Sequence, residues 1–277
     1  QSVAREVRDL MLEITPLVEP ISIDEAYLDL TDILGKHSQS PALALIRLAN
    51  QLENQLNISA SIGLGPNKFL AKLASDLDKP RGFALIGNKE ARDFIAPMPV
   101  KKIWGVGPAL TRRLAEIGIN KIQQLQTRSE DELVLRFGSI GHRLAQFSNG
   151  EDSRSVGTHR IRKSLSAETT FEHDCSTAVE LKQVLLELCQ RVSKRMEVAN
   201  IAGNSVVLKL KTSDFKLRTR TMSLAHPTQR ASLLYEAGTT LLAKEVDDST
   251  KFRLIGIGVT RLSNSTDADP PDMLPDS

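Results

Sequence analysis

Glu19-Pro-Ile-Ser-Ile-Asp-Glu-Ala-Tyr-Leu-Asp-Leu-Thr-Asp32 is the stretch of sequence from which the fold can be worked out. It places two adjacent carboxylates, Asp24 and Glu25, between two short runs, residues 21–23 and 26–30, in which apolar and polar residues alternate. This period of two predicts half-buried strands. The acidic pair is therefore expected near the bend of a hairpin.

The position of Asp24 and Glu25 suggests metal binding. Neighbouring side chains of a regular strand face opposite sides, so both carboxylates reach one site only where the backbone turns or bulges. Carboxylate oxygens placed in this way suit Mg²⁺ or Mn²⁺. An adjacent Asp and Glu are also typical of a solvated turn, and the two residues alone leave both interpretations open.

The composition narrows the class of protein. A chain of 277 residues with 40% hydrophobic content is long enough for one to three globular domains. Its two cysteines, Cys175 and Cys189, have no metal-ligand spacing, which favours a reduced, cytoplasmic protein. No apolar run approaches the roughly 18 to 20 residues of a membrane span, and the first residues lack a signal-peptide pattern. The sequence therefore argues against secretion and membrane insertion.

The charge is unevenly distributed along the chain. The net charge is only +2, but residues 1–32 contain two basic and eight acidic residues, whereas residues 33–157 and 158–262 each contain 17 basic and 11 acidic residues. An acidic segment followed by two basic ones fits an enzyme that holds a polyanionic substrate, although many ordinary domains carry a similar excess.

Helical periodicity predicts helices over residues 3–14, 43–56 and 67–77, with a strand at 58–63. Strand, helix and strand in this order indicate a sheet with covering helices. In the third helix Lys68 and Lys72 are expected to share an exposed face, because they are four residues apart.

A basic loop follows the third helix. Pro80 and Gly82 force a loop that presents Lys79 and Arg81 together. Two cations on a tight loop are suited to a triphosphate. The alternative is an exposed basic turn, since cations near a helix C-terminus are favourable in any case.

The run from Ile103 to Ile119 resembles a helix-hairpin-helix element. Gly105, Val106 and Gly107 form a tight turn before Pro108, where backbone N–H groups could approach a DNA phosphate. The alternative is a plain turn between helices with glycine caps. The rigid break at residues 97–99 predicts a domain boundary, and residues 98–150 then form a small helical domain, in which His142 has no evident partner.

Three runs in the C-terminal part, residues 160–163, 206–211 and 216–220, alternate basic and apolar residues as strands with one basic face would. An ordinary solvated sheet face is the alternative. Aromatic content is only 4%, so base stacking on exposed rings is not an evident binding mode. The candidate DNA-backbone contacts are Arg160, Arg162, Lys163, Lys209, Lys211, Arg218, Arg220 and Arg253.

Helical patterns at residues 177–198 and 228–246 separate these strands, which predicts β-α-β-β-α-β order and a split β-α-β fold over residues 161–262. Residues 151–160 have the composition of a linker. The tail, residues 263–277, contains four aspartates and three prolines and is predicted to be disordered.

The residues from Ser22 to Thr31 closely resemble the palm motif of Y-family (translesion) DNA polymerases. Ser61-Ile-Gly-Leu-Gly-Pro-Asn-Lys-Phe-Leu-Ala-Lys-Leu-Ala-Ser-Asp76, followed by Lys79 and Pro80, resembles the second palm signature of that family. Ser166-Ala-Glu-Thr-Thr-Phe171 and Arg253-Leu-Ile-Gly-Ile-Gly-Val259 resemble little-finger segments of its DinB branch. The resemblance implies an α+β multidomain fold with a partial palm at residues 1–97, an all-α helix-hairpin-helix thumb at 98–150 and a split β-α-β little finger at 161–262.

The resemblance also implies a function. Template-directed nucleotidyl transfer would use two Mg²⁺ ions, with Mn²⁺ as an alternative, held by Asp24 and Glu25 as catalytic and metal-binding residues. Lys79 and, with it, Arg81 would contact the nucleotide phosphates. The expected partners are primer-template DNA, deoxynucleoside triphosphates and a sliding clamp, and the protein is expected to be a cytoplasmic monomer.

Parts of the family pattern do not occur in these 277 residues. Family members have an earlier palm strand with a further metal-binding Asp, a fingers segment, and often a clamp-binding peptide of the form Gln-Leu-x-Leu-Phe near the C-terminus. We therefore expect an incomplete, inactive fragment, truncated at the N-terminus and at the C-terminus. Two alternatives are a catalytically inactive DNA-binding accessory protein of the same fold, and a structural protein whose basic faces bind an acidic partner. Salt-sensitive binding to primer-template DNA distinguishes the last from the others.

Overall fold

A computed structural model describes residues 2–32, 40–158, 162–247 and 250–269. The chain divides into two compact units, Gln1–Arg160 and Ile161–Ser277. Arg160, one of the candidate DNA contacts, lies outside the described residues. Among the described helices, none combines the length and the apolar character that crossing a membrane requires.

The first unit begins with helix α1, Ser2–Ile14, which packs on α2, Pro41–Leu56. Between them in sequence, strands β1, Val18–Pro20, and β2, Ala26–Leu28, pair antiparallel. Strand β1 thus precedes residues 21–23, where a strand was predicted. The reason is local: the side chain of Asp24 accepts a hydrogen bond from Ser22, and such contacts favour a turn over a strand.

A parallel pair of strands, β3, Ile62–Leu64, and β4, Phe83–Leu85, flanks helix α3, Lys68–Ser75. The predicted strand at residues 58–63 is therefore confirmed only at its end. Asn67 caps α3, because its side chain accepts a hydrogen bond from the N–H of Leu70 at 3.0 Å.

Short helices make up the rest of the first unit. They are α4, Ala91–Ile95; a 3₁₀ turn, Val100–Lys102; α5, Pro108–Ala115; α6, Ile122–Gln126; α7, Glu130–Phe137; and α8, Ile140–Ser148. Their core is continuous with the buried side of α3, where the rings of Phe69 and Phe147 stack 4.5 Å apart. The packing therefore does not separate at residues 97–99, where a boundary was expected.

The segment 151–157, expected to be a linker, is fastened to the first unit. The carboxylate of Asp152, only 1% exposed, accepts hydrogen bonds from the N–H of Phe69 at 3.0 Å and from the guanidinium of Arg154 at 2.8 Å. That guanidinium also lies over the rings of Trp104 and Phe147, 4.8 and 5.3 Å from their centroids. The polar composition of this segment reflects specific contacts rather than free chain.

Lys68 joins the same network. Its ammonium group contacts the carboxylate of Glu19 at 2.5 Å and the carbonyl of Ser155 at 3.1 Å, and the residue is 8% exposed. The N–H of Gly157 donates to the same Glu19 carboxylate at 2.6 Å. The expectation that Lys68 and Lys72 share an exposed face was therefore wrong, because the ion pair with the half-buried Glu19 of β1 draws Lys68 inward.

The second unit has the predicted β-α-β-β-α-β order: β5, Ser164–Cys175; α9, Ala178–Val198; β6, Ile201–Thr212; β7, Leu217–Thr228; α10, Ala231–Leu242; and β8, Phe252–Asn264. The sheet order is β5-β8-β6-β7, with every neighbouring pair antiparallel. Strand β8 thus lies between β5 and β6, and β6 lies between β7 and β8, which gives two split β-α-β units. Leu208, Leu210, Ile255 and Ile257 line the core beneath the helices.

Both ends of this unit differ from expectation. Arg162 and Lys163 are exposed and precede β5, so the strand predicted at 160–163 was wrong for the described residues. At the other end, β8 continues to Asn264, and the side chain of Asp269 accepts hydrogen bonds from Thr228 and from the N–H of Gln229. Residues 263–269 are therefore ordered, while residues 270–277 of the predicted disordered tail lie outside the described residues.

Candidate active site

The turn between β1 and β2 presents Asp24 and Glu25. The N–H groups of Ile21 and Ser22 donate to the carbonyl of Glu25 at 2.8 and 3.3 Å, which closes the turn. The Ser22 hydroxyl donates to Asp24 at 2.5 Å. This hydrogen bond, with lesser attraction from Lys79 and Lys72, holds the pKa of the exposed Asp24 carboxyl below its ordinary value. Asp24 is thus a carboxylate at neutral pH.

Helix α3 brings a lysine to the second carboxylate. The Lys72 ammonium lies 3.0 Å from Glu25 and 3.2 Å from Asp76, and Lys79 contacts the other oxygen of Asp76 at 2.6 Å. Burial alone would lower the pKa of Lys72, but the hydrogen bonds to Glu25 and Asp76 outweigh it and raise that pKa. Burial likewise acts against ionisation of Asp76, and the two lysines outweigh it, so the pKa of Asp76 is lowered. Glu25, Lys72, Asp76 and Lys79 thus form a row in which negative and positive side chains alternate, called the charge row below.

Lys79 and Arg81 do not converge on one partner. Lys79 contacts Asp76, whereas the guanidinium of Arg81 lies 2.8 Å from Glu53 of α2. Both side chains are more than half exposed, at 51% and 67%. Only Lys79 therefore belongs to the charge row beside Asp24, and the expectation that the loop presents the two cations together was wrong for their side chains.

The candidate ligands of this site are oxygen atoms, the type of ligand that hard divalent metal ions bind. Asp24 and Glu25 supply carboxylate oxygens, which Mg²⁺ and Mn²⁺ prefer. The described ranges contain no group of three or more His, Cys, Asp or Glu side chains that could hold a metal ion. Two carboxylates on one turn are a pair of ligands, and a Mg²⁺ site completes its coordination with waters and substrate phosphates.

An open cavity of about 440 Å³ adjoins this row of charges. Lys72, Leu73 and Asp76 line one side, and residues 101–107, including the predicted glycine turn, line the other. Gly105 has φ +94°, a conformation that L side chains rarely adopt. A side-chain carbon at Gly107 would meet no protein atom within 4 Å. The exposed backbone of Gly105 and Gly107 is therefore open to a ligand from the cavity. Val106 is not, because it is buried and its N–H donates to the carbonyl of Ile103 at 3.0 Å.

The second unit divides its cations between two faces of the sheet. In the register of β6 with β7, Arg218 and Arg220 pair with the core residues Leu210 and Leu208, whereas Lys209 and Lys211 point to the opposite face. The prediction of one basic face was therefore wrong. Arg220 and Arg218 instead lie 2.6 and 3.4 Å from the carboxylate of Glu245, which is 5% exposed.

Several contacts could not be found from sequence. Lys72 and Asp76 are four residues apart on a helix, a spacing that signals an ion pair, but nothing in the sequence places Glu25 beside them. His142, expected to have no partner, lies 2.5 Å from the carboxylate of Glu130. No sequence pattern indicated a role for Glu245 or for the exposed Phe215.

We expect Arg220→Ala to destabilise the second unit by about 1 to 2 kcal/mol, because it removes the closer cation from the nearly buried Glu245. Lys209→Ala is the matched control: Lys209 pairs with Glu168 at 2.7 Å, but both side chains are well exposed, so a change within about 0.5 kcal/mol is expected. Urea unfolding followed by circular dichroism measures both. Equal changes in the free energy of unfolding would contradict the contribution of the contact between Arg220 and the nearly buried Glu245 to stability.

Comparison with known proteins identifies the family. The model of the impB/mucB/samB family matches residues 1–76, that of the IMS family HHH motif matches 88–119, and that of the impB/mucB/samB family C-terminal domain matches 162–271. A solved Y-family DNA polymerase chimera, Dbh-Dpo4(243-245)-Dbh, has a TM-score of 0.84 at 22% identity, covering 94% of this chain and 75% of that one. This likeness confirms the predicted α+β polymerase fold.

Two curated relatives carry the identification further. DNA polymerase IV of Brucella melitensis biotype 1 is 52% identical over 272 residues, which are 98% of this chain and 61% of that protein. DNA polymerase IV of Caulobacter vibrioides is 42% identical over 273 residues, 99% of this chain and 67% of that protein. The chain thus spans about three fifths to two thirds of the length of these relatives. It therefore belongs to the DinB branch of the Y family of DNA polymerases, as do these relatives named DNA polymerase IV.

Proposed function

We propose that this chain is part of a DNA-directed DNA polymerase of the translesion type, which adds deoxynucleotides to a primer 3′ end opposite damaged or undamaged template. The observation that carries the proposal is the placement of Asp24 and Glu25 on one turn, beside the charge row of Lys72, Asp76 and Lys79. The names of the relatives support the same reaction.

The residues of the chain have distinct parts in the proposed reaction. Asp24 and Glu25 would hold Mg²⁺ or Mn²⁺, and two such ions, when bound, lower the pKa of the primer hydroxyl and neutralise the leaving pyrophosphate. Lys79, exposed beside Asp24, attracts the triphosphate. Lys72 keeps the Glu25 carboxylate oriented from the rigid helix α3. Arg81 contributes a longer-range positive charge from its place beside Glu53.

The cavity and the glycine turn suggest the path of the nucleic acid. A strand whose 3′ end lies at Asp24 would pass the cavity wall formed by Lys101 and Lys102. Its backbone phosphate would then accept hydrogen bonds from the N–H groups of Gly105 and Gly107. Val106 would support the turn instead, because its N–H donates to the carbonyl of Ile103 at 3.0 Å. Within the second unit, further phosphates would be contacted by the open-face cations, which are those away from the core side of the sheet: Lys209, Lys211 and Arg253. The exposed Arg162 and Lys163 would do the same. Arg218 and Arg220 contribute chiefly to stability.

We propose the functional division expected from the sequence: palm at 1–97, thumb at 98–150, connecting segment at 151–160 and little finger at 161–262. We also propose a cytoplasmic monomer that works with a sliding clamp, on the strength of family membership alone. A catalytically inactive DNA-binding accessory protein of the same fold is the second candidate, and it would use the same exposed cations and glycine turn to contact DNA.

Primer extension tests the proposal directly. The 277-residue chain, and the protein with any further residues that its reading frame encodes, are each given primer-template DNA, Mg²⁺ and four deoxynucleoside triphosphates. Extension by either protein supports the polymerase. DNA binding by both without extension by either supports the accessory protein, and no salt-sensitive DNA binding contradicts both.

We expect Gly107→Ala to weaken DNA binding roughly tenfold, because the new methyl group occupies the space through which a phosphate approaches the turn. The protein should stay folded with a loss of no more than about 1 kcal/mol, because the φ of −83° suits any residue but alanine is a poorer helix N-cap than glycine. Gly105→Ala is the contrasting control, because its φ of +94° makes any side chain costly to stability. Unchanged DNA affinity of a folded Gly107→Ala protein would remove the turn from the interface.

A further inference from the structure

An exposed aromatic ring lies at the end of the sheet in the second unit. Phe215 lies in the turn between β6 and β7, has φ +64° and is 59% exposed. The Lys211 ammonium lies 4.7 Å from the centroid of its ring, and the Arg253 guanidinium carbon lies 5.1 Å from the same point. Both distances are within the range of cation–π contacts.

These two cations differ from the other strand cations in the kind of partner they have. Lys209 contacts the carboxylate of Glu168, and Arg218 and Arg220 share that of Glu245. Within the described ranges, Lys211 and Arg253 contact the Phe215 ring and form no ion pair with an acid. A carboxylate competes with a phosphate for the cation it binds, whereas an aromatic ring holds a cation in place and leaves its charge available.

Two positive charges held beside one ring favour the binding of an anion. Since each charge lies about 5 Å from the same centroid, the two are within about 10 Å of each other, close to the screening length at physiological ionic strength. Their repulsion is therefore only partly screened, and an anion that contacts both relieves it. The one acid of the turn, Asp214, is already bound to Lys216 at 2.8 Å.

The backbone holds this arrangement in place before any ligand binds. The N–H of Phe215 donates to the carbonyl of Thr212 at 2.9 Å, and that of Thr212 donates to Lys216 at 3.0 Å. The N–H of Ser213 donates to the carbonyl of Lys251 at 3.0 Å, which ties the turn to the residue preceding β8. The three side chains thus come from two strands and a turn that are hydrogen-bonded together.

We propose that Phe215 is a positioning residue, which holds Lys211 and Arg253 as a pair that binds one backbone phosphate of duplex DNA. The inference rests on the proposed function, because it assumes that the second unit contacts DNA. It adds that the affinity supplied by these two cations depends on an uncharged ring that need not contact DNA itself.

Anisotropy of a fluorescent primer-template duplex, titrated with the 277-residue protein at several salt concentrations, tests the proposal. Phe215→Ala and Phe215→Leu are each expected to weaken binding about three- to tenfold, whereas Phe215→Tyr, which keeps the ring, stays near the unsubstituted protein. Leu217→Ala is the matched control, since Leu217 is also 59% exposed in the same hairpin. It should leave affinity unchanged, and all four variants should melt at the same temperature.

A double-substituted background gives the decisive comparison. Lys211→Ala with Arg253→Ala should reduce the salt dependence of binding by about one phosphate contact, and Phe215→Ala added to that pair should have no further effect. An equal loss in both backgrounds would mean that Phe215 contacts DNA directly, which overturns the positioning role. Salt-dependent binding that is insensitive to Phe215→Ala would overturn this inference alone, whereas no DNA binding by the unsubstituted protein would overturn the proposed function with it.

Discussion

Replacing Asp24 with Asn, or Glu25 with Gln, is expected to lower the rate of primer extension by about a thousandfold or more in the protein that extends primers. Each change removes the negative charge of one proposed metal ligand and keeps the size of the side chain. Metal ions stabilise the transition state by several kcal/mol, and each 1.36 kcal/mol corresponds to a factor of ten in rate. Single-turnover extension at saturating nucleotide measures the effect.

The control for this prediction is Asp32→Asn, which changes an exposed carboxylate shortly after β2. It should leave the rate within about twofold, because exposed carboxylates away from the substrate contribute little. Duplex DNA affinity should be retained in all three variants, since the glycine turn and the open-face cations are intact. Extension by Glu25→Gln at the unsubstituted rate would exclude the Glu25 carboxylate as a metal ligand.

Asp152→Ala is expected to destabilise the first unit by about 2 to 4 kcal/mol. The change removes a carboxylate that is 1% exposed, and it leaves the N–H of Phe69 and the partly buried guanidinium of Arg154 without their acceptor. Trp104, the chain's one tryptophan, lies against that guanidinium and so reports on this unit. Urea unfolding followed by tryptophan fluorescence measures the change.

The same carboxylate predicts a pH dependence. Burial acts to raise the pKa of Asp152, but the hydrogen bonds from Arg154 and Phe69 outweigh it, and the pKa is lowered in the folded protein. A group with a lowered pKa stabilises the fold above its unfolded pKa, and this contribution is lost as the pH falls through the folded pKa. The stability difference between the unsubstituted protein and Asp152→Asn should therefore shrink below about pH 4.

A stability difference between the unsubstituted protein and Asp152→Asn that stays constant from pH 7 to pH 3 would contradict the ion pair between Asp152 and Arg154. Glu151→Gln is the neighbouring control, because Glu151 is exposed, and its effect on stability should stay within about 0.5 kcal/mol.

The elements of the second unit could be predicted because their period is regular. Strands such as β6 alternate apolar and basic residues, and α9 repeats its apolar residues at helical spacing, so the element order follows from local patterns. The orientation of the cations could not be predicted, because it depends on register. Arg218 and Arg220 point to the core side only because they pair with Leu210 and Leu208 in β6.

The candidate active site shows the same limit. Asp24 and Glu25 were identified because they lie between two alternating runs in a motif that resembles a known family. The contact between Glu25 and Lys72 joins residues 47 positions apart, so no local pattern indicates it. The burial of Lys68 has the same cause, since its partner Glu19 lies on a strand distant in sequence. The strand predicted at residues 58–63 starts before β3, Ile62–Leu64, because turns and coil can contain the same apolar residues.

The attachment of residues 151–157 has a mechanical consequence. The last described residues before the second unit, up to residue 158, follow a segment that is anchored at Asp152 to the first turn of α3 and at Gly157 to Glu19 of β1. Lys72 lies one helical turn beyond Phe69 on that same helix. The end of the first unit is therefore tied both to the strand that leads into the Asp24 turn and to the helix that holds Glu25, so a change that loosens this segment would also loosen the supports of the two carboxylates.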